Sequence, residues 1–166
     1  MKKKGLIIVS VLILALSVVF LGCPPPEDET KNDPTVPADV LAKLSTFGFT
    51  GTLPVPEGGN YEKYKEATVT TEQDEETYTA PAFYIVWNKC TEDIMTAYKG
   101  LWTGKVQSIK ATRDISADNS FGLKDIGTNI KSGRVYFTAE GGTLGDLTVG
   151  ENSIVFFVRK DWAAAE

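Results

Sequence analysis

Apolar residues follow different rhythms along this chain, and each rhythm predicts a different kind of element. The first is an almost unbroken run of sixteen residues, Leu6 to Leu21, interrupted only by Ser10 and Ser17. A stretch with almost no apolar side chain follows, as far as Val36. Then Val40, Leu41, Leu44 and Phe47 recur at helical spacing. With Pro37 at a first helical position and Gly48 as a C-terminal cap, this pattern predicts a short amphipathic helix over 37–47. Leu53-Pro54-Val55-Pro56 and Gly58-Gly59-Asn60 suit neither a helix nor a central strand, so Phe49 to Tyr61 reads as an extended crossing and a turn.

From Ala67 the rhythm changes to that of a hairpin. Ala67 to Glu72 is rich in threonine and valine, Gln73 to Glu76 is a polar turn, and Thr77 to Trp87 is a second strand interrupted by Pro81. In that second strand Phe83, Ile85 and Trp87 share one face and Tyr84 and Val86 the other, which predicts a strand near the middle of its sheet, at least partly covered on both sides. A second helix starts at Thr91: a threonine cap, Glu92 and Asp93 in the first turn, the stripe Ile94, Met95, Tyr98, Leu101 and Trp102, and Gly104 as the stop.

The remainder reads as strands. Val106 and Ile109 mark a weak strand in Lys105 to Arg113, and Asp114 to Ser132 has no sustained period. Gly133 to Ala139 and Ser153 to Lys160 form two strands, joined by a glycine-rich connection with room for a short strand at Leu147 to Val149. Helix, hairpin, helix and then strands predict an α+β fold: a small, largely antiparallel sheet of about four to six strands, with one or two amphipathic helices on one face.

The N-terminal run has the layout of an export signal, because Lys2, Lys3 and Lys4 precede it and would stay on the cytoplasmic side. As a helix it would reach roughly 24 Å at ~1.5 Å per residue, short of the about 30 Å hydrocarbon core of a bilayer. It ends on Phe20-Leu21-Gly22-Cys23, and Pro24-Pro25-Pro26 then forbid any helix from continuing. These four residues resemble the lipobox of bacterial lipoproteins, in the relaxed form found in spirochaetes, with Phe20 where leucine is usual. The resemblance implies that residues 1–22 are a removed signal peptide. It also implies that Cys23 becomes a lipidated N-terminus, with a diacylglycerol on its thioether and a fatty acid on its amine, anchoring the protein in the envelope. Two or more acyl chains hold stably where one does not. The order Leu53-Pro54-Val55-Pro56, strand, Asn88 to Asp93 and a helix with Tyr98 is also similar to that of some small bacterial lipoproteins, a similarity that covers part of the chain and implies no activity. Residues 23–36, with four prolines and four acids, read as a tether, and 37–166 as a single domain.

Charge and composition narrow the function classes. Without the three leader lysines, 14 of the 17 basic residues remain against 22 acids, a formal charge of −8. Phosphate backbones repel such a body, so nucleic acid is not an expected partner. The chain contains no histidine, which removes Ser-His-Asp and Cys-His catalysis, the usual zinc sites and imidazole-ligated haem. No cofactor and no metal are expected. With Cys23 lipidated, Cys90 has no partner in the chain and reads as a small buried thiol.

The remaining motifs read as turns. Glu72, Asp74, Glu75 and Glu76 lack the spacing of a calcium loop, Asp114, Asp118 and Asn119 are turn residues, and Gly141 to Gly145 precedes no helix and no Gly-Lys-Ser. Among aromatics able to line a cleft, Tyr61, Tyr64, Trp87, Trp102 and Trp162, the two tryptophans 87 and 102 fall on core faces. Tyr61 and Tyr64, beside a glycine turn, are the expected exposed ligand contacts. The expectation is therefore a lipid-anchored, non-enzymatic envelope protein, facing the periplasm or exterior, that interacts with an envelope or host macromolecule. The alternatives are a small-ligand or glycan-binding module and, behind it, a hydrolase working through carboxylates alone.

Overall fold

The computed structural model describes residues 32–108 and 119–165. The chain folds in the order α1 (Ala38–Phe47), β1 (Asn60–Gln73), β2 (Glu76–Asn88), α2 (Glu92–Leu101), β3 (Val106–Gln107), β4 (Ser120–Leu123), β5 (Ser132–Thr138), β6 (Gly142–Leu144), β7 (Leu147–Val149), β8 (Ser153–Arg159) and β9 (Ala163–Ala164). Seven of the strands form one antiparallel sheet in the order β1-β2-β8-β5-β4-β3, with β9 pairing β2 beyond the end of β8. β6 and β7 form a separate two-stranded ribbon. The α+β class and the antiparallel sheet are as the pattern predicts, with more strands than the four to six expected.

Both helices among the described residues stand on one face. Val40 and Leu44 from α1, and Met95, Tyr98 and Trp102 from and just after α2, close over Phe83, Ile85 and Trp87 of β2, Ile154, Phe156 and Val158 of β8, and Val135 and Phe137 of β5. Trp102 stacks on Phe156 at 5.8 Å between ring centroids, and Phe49 meets the same ring edge-on at 5.7 Å. Thr91 caps α2 by accepting a bond from the Ile94 amide at 3.3 Å. At the end of α1, Gly48 takes φ 120° and its carbonyl accepts from Thr128 at 2.8 Å, so the glycine both stops the helix and admits a neighbouring strand segment.

The opposite face is covered only in part, and the β6–β7 ribbon is the cover. Leu144, Leu147 and Val149 pack on Tyr84, Val86, Tyr136 and Val155. The two-residue connection Gly145-Asp146 starts with a glycine at φ 55°, as tight hairpins require. Lys63 and Lys65 of β1 fasten the ribbon by donating to the carbonyls of Thr148 at 3.1 Å and Asp146 at 2.7 Å.

Three differences from the sequence pattern have physical causes. β1 begins at Asn60 rather than Ala67, because Tyr61 and Tyr64 pair with Trp87 and Ile85 across a bulge that the charged residues between them obscure. β4 lies inside the stretch without a period, since four residues suffice for a strand and only Phe121 and Leu123 need face the helices. Residues 32–36, which composition assigns to the tether, pack on the domain: Val36 is buried, the Tyr61 amide donates to Asp33 O at 2.8 Å, and Trp87 Nε1 donates to Pro34 O at 2.8 Å. The predicted signal peptide, Cys23, the rest of the tether, Asp114 and Asp118 lie outside the described residues.

Candidate functional site

A groove of about 600 Å³ opens on the partly covered face, where the ribbon stops short of the sheet's far end. Its position follows from side-chain size along the register. One row across the sheet on this face holds Lys65, Tyr84, Phe157 and Arg134, and the next holds Ala67, Ala82, Arg159 and Ser132. The ribbon tip, at Leu144, Gly145 and Asp146, overhangs the first row. In the second row, two alanines and a serine stand where the covered rows carry tyrosine, valine and phenylalanine. They leave a hollow around the Arg159 side chain.

The last wall comes from the C-terminal segment. In an antiparallel strand a residue's N–H and C=O point to the same side. Pro81 accepts from the Lys160 amide at 3.0 Å, so its missing N–H faces the β8 side of β2. There the ladder is interrupted, and β8 gives way to β9 after a short excursion. Trp162 lies in that excursion and lines the groove, with Arg159 Cζ 4.1 Å from its ring centroid.

The electrostatics of the groove are unlike those of the chain as a whole. Arg134 and Arg159 are half-buried on the same face, and Arg134 pairs with Phe157 while Arg159 pairs with Ser132. The two are thus diagonal neighbours, their Cα positions about 7–8 Å apart. Among the described residues neither has a carboxylate within 4.0 Å. Arg134 reaches the Tyr136 hydroxyl at 3.5 Å, and Arg159 donates to Lys160 O at 2.7 Å. Burial pushes the Arg159 guanidinium below its ordinary value, Asp161 opposes this, and Arg134 adds to it. Burial, with smaller contributions from Tyr136 and Asp146, pushes the Tyr84 phenol up to about 12, so it is a neutral hydroxyl at physiological pH. Among the described residues Asp146 is the one carboxylate in the lining. This inventory of donors, cations and aromatic faces suits recognition more than proton transfer.

Tyr61 and Tyr64 lie elsewhere. Both are half-buried on the helix-covered face, packed against its core. Tyr64 stacks on Phe83 at 5.6 Å, interplanar 18°, and accepts a hydrogen bond from Lys43 of α1. Burial first, then Asp39, pushes the Tyr61 phenol up. The two rings fill the seam between α1 and β1 instead of facing a cleft. Of the five aromatics singled out by sequence, Trp162 lines the groove, whereas Trp87 and Trp102 are core.

The other motifs keep to structural positions. Cys90 is 1% exposed and burial pushes its thiol up to about 11. Asp74 and Glu75 form the exposed β1–β2 turn at φ 52° and 68°, and Glu72 and Glu76 are exposed in the strand ends beside it. Gly141 to Gly145 open the ribbon. Asn119 donates to Glu92 at 2.7 Å, tying the approach to β4 to the start of α2. Arg134 and Arg159 carried a signal that sequence reading passed over. They are two of only three arginines in the chain, each the one charged residue of its strand and on the face of an aromatic neighbour. No protein-family model matches the chain, and neither does any curated protein or any solved structure.

Proposed function

We propose that this chain is a lipid-anchored envelope protein whose domain is a non-enzymatic binding module for a small ligand, held in the groove between the β6–β7 ribbon and Trp162. The observation that carries the reading is the groove itself. It has about 600 Å³ of space, aromatic floor residues Tyr84, Tyr136 and Phe157, and a few converging polar groups, Ser132, Arg134 and Arg159. Small-molecule sites have this size, and here the aromatic floor is rimmed by threonine, serine and arginine side chains able to fix a ligand's orientation. The address rests on the lipobox resemblance at Cys23, and anchorage would hold the module at the membrane surface, where it meets envelope solutes or partners.

The test of the binding role is a fragment library screened by ligand-observed NMR against the full-length chain in detergent micelles. Hits should be lost on Ala67→Trp, which fills the hollow from a half-buried position of β1. Hits that persist unchanged in that variant, or a library without a single hit, would contradict the reading. For the anchor, intact mass of membrane-extracted protein should show acyl chains that Cys23→Ala lacks. An unmodified N-terminus would refute it.

A further inference from the structure

We propose that the ligand of this groove is a small organic carboxylate, its charged end taken between Arg134 and Arg159 and its planar or apolar body laid over Tyr84 and Phe157. The inference rests on the binding reading above and narrows it to a chemical class.

Four observations converge on it. The first is the pairing of charges. The chain carries a net charge of −5, yet two of its three arginines are diagonal neighbours on one sheet face. Like charges brought together and half-desolvated repel one another, a cost that is recovered when an anion joins them. Among the described residues no carboxylate lies within 4.0 Å of either guanidinium.

The second is donor capacity. A guanidinium offers five N–H donors in a fixed plane. Arg159 commits one to Lys160 O and sits over the Trp162 ring, while Arg134 makes a long contact of 3.5 Å to Tyr136. Donors remain on both groups, and a carboxylate can turn one oxygen toward each of two neighbouring arginines.

The third is preorganisation. Arg159 is pinned by its Lys160 bond and by the Trp162 ring, so little side-chain entropy is lost when an anion arrives. Ser132, directly opposite Arg159 in the register, adds a hydroxyl at the same end.

The fourth selects the charge. Asp146 stands at the ribbon tip on the other wall, beside Tyr84, and an acidic domain surrounds the groove. One extra negative charge matched to two arginines is tolerated, whereas a dianionic phosphate ester meets added repulsion. The aromatic floor then takes a flat hydrophobic body in offset stacking.

The test is calorimetric titration of the full-length chain in detergent micelles with benzoate, phenyl phosphate and benzyl alcohol, three probes sharing one ring. Benzoate should bind, with phenyl phosphate and benzyl alcohol each at least about tenfold weaker, the effect expected of losing one charge-assisted pair or adding one repulsion. Arg134→Gln and Arg159→Gln should each weaken benzoate by about tenfold or more while thermal unfolding stays cooperative. Arg134→Lys serves as a second variant that keeps the charge and loses the planar fork, and it should weaken benzoate without abolishing it. Equal binding of benzyl alcohol and benzoate, or arginine variants with unchanged affinity, would overturn the carboxylate assignment and leave the groove reading standing. Tighter binding of phenyl phosphate than benzoate would overturn the choice of carboxylate. No binding of any probe would overturn the proposal, and if the fragment screen is also empty, the groove reading falls with it.

Discussion

The Arg159 guanidinium lies against the Trp162 indole, Cζ 4.1 Å from the ring centroid, because Pro81 interrupts the ladder that would otherwise carry β8 straight on. A backbone feature of β2 thereby sets the wall of a groove on another strand. Trp162→Ala should remove the cation–π contact, worth about 0.5–1 kcal/mol at a partly exposed site, with part of the ring's packing. Urea unfolding of the full-length chain should show a loss on the order of 1 kcal/mol with an unchanged slope, and benzoate affinity should fall as Arg159 loses its rest position.

Gly48 should be intolerant of any side chain. Its φ of 120° is one L residues rarely adopt, and a Cβ there would run into the carbonyl oxygen of Thr128. Gly48→Ala is therefore expected to cost about 2–4 kcal/mol from strain and the lost approach of Thr128 to α1. By contrast Gly100, with open space around its Cβ position and a place inside α2, should gain about 0.5–1 kcal/mol from Gly100→Ala. Equal effects in the two variants would contradict this account of the backbone.

Stability should fall at alkaline pH through Cys90. Burial holds its thiol neutral in the fold, up to about 11 against 9.0 ordinarily. Between these values the unfolded chain releases a proton that the folded chain retains, so the unfolded state is favoured as pH rises. The contribution is intact below pH 9 and is lost progressively toward pH 11. Tyr84, raised to about 12, extends the decline in the same direction above pH 10. Denaturant midpoints measured from pH 7 to 10.5 should decrease, and less steeply in Cys90→Ala. The native thiol should also resist an aromatic disulfide reagent at pH 8 until urea unfolds the protein.

Residues 32–36 should behave as part of the domain. Trp87 Nε1 donates to Pro34 O and Val36 is buried, so this segment is held by a core residue. Trp87→Phe removes the donor and some volume, with an expected cost of about 1–3 kcal/mol. Limited proteolysis should then cut near residue 33 in the variant at a protease dose that leaves the wild-type segment intact.

The legible parts of the fold were those in which one segment declares its own partner face. Ile94, Met95, Tyr98 and Trp102 form a stripe that fixes α2, and Phe83 to Trp87 announce a strand covered on both sides, as β2 is. What depended on pairing at a distance was hidden. The short strand at Leu147 to Val149 is legible in the sequence, but not that it pairs with Gly142 to Leu144 and folds back over Tyr84 and Tyr136. The groove was hidden for the same reason. Ala67, Ala82, Arg159 and Ser132 meet only through the register of three strand pairs, whereas Tyr61 and Tyr64 drew notice by sitting beside a glycine turn. Trp162 alone was visible in both views, as a cleft aromatic in the sequence and as a wall in the fold.

The most direct test of the groove as the ligand site is chemical-shift mapping of the full-length chain with benzoate added. The account predicts that the Trp162 indole N–H and the ring signals of Tyr84, Tyr136 and Phe157 move together and saturate, while those of Tyr61 and Tyr64 stay in place. Shifts centred on Tyr61 and Tyr64 with the groove signals unmoved would contradict it.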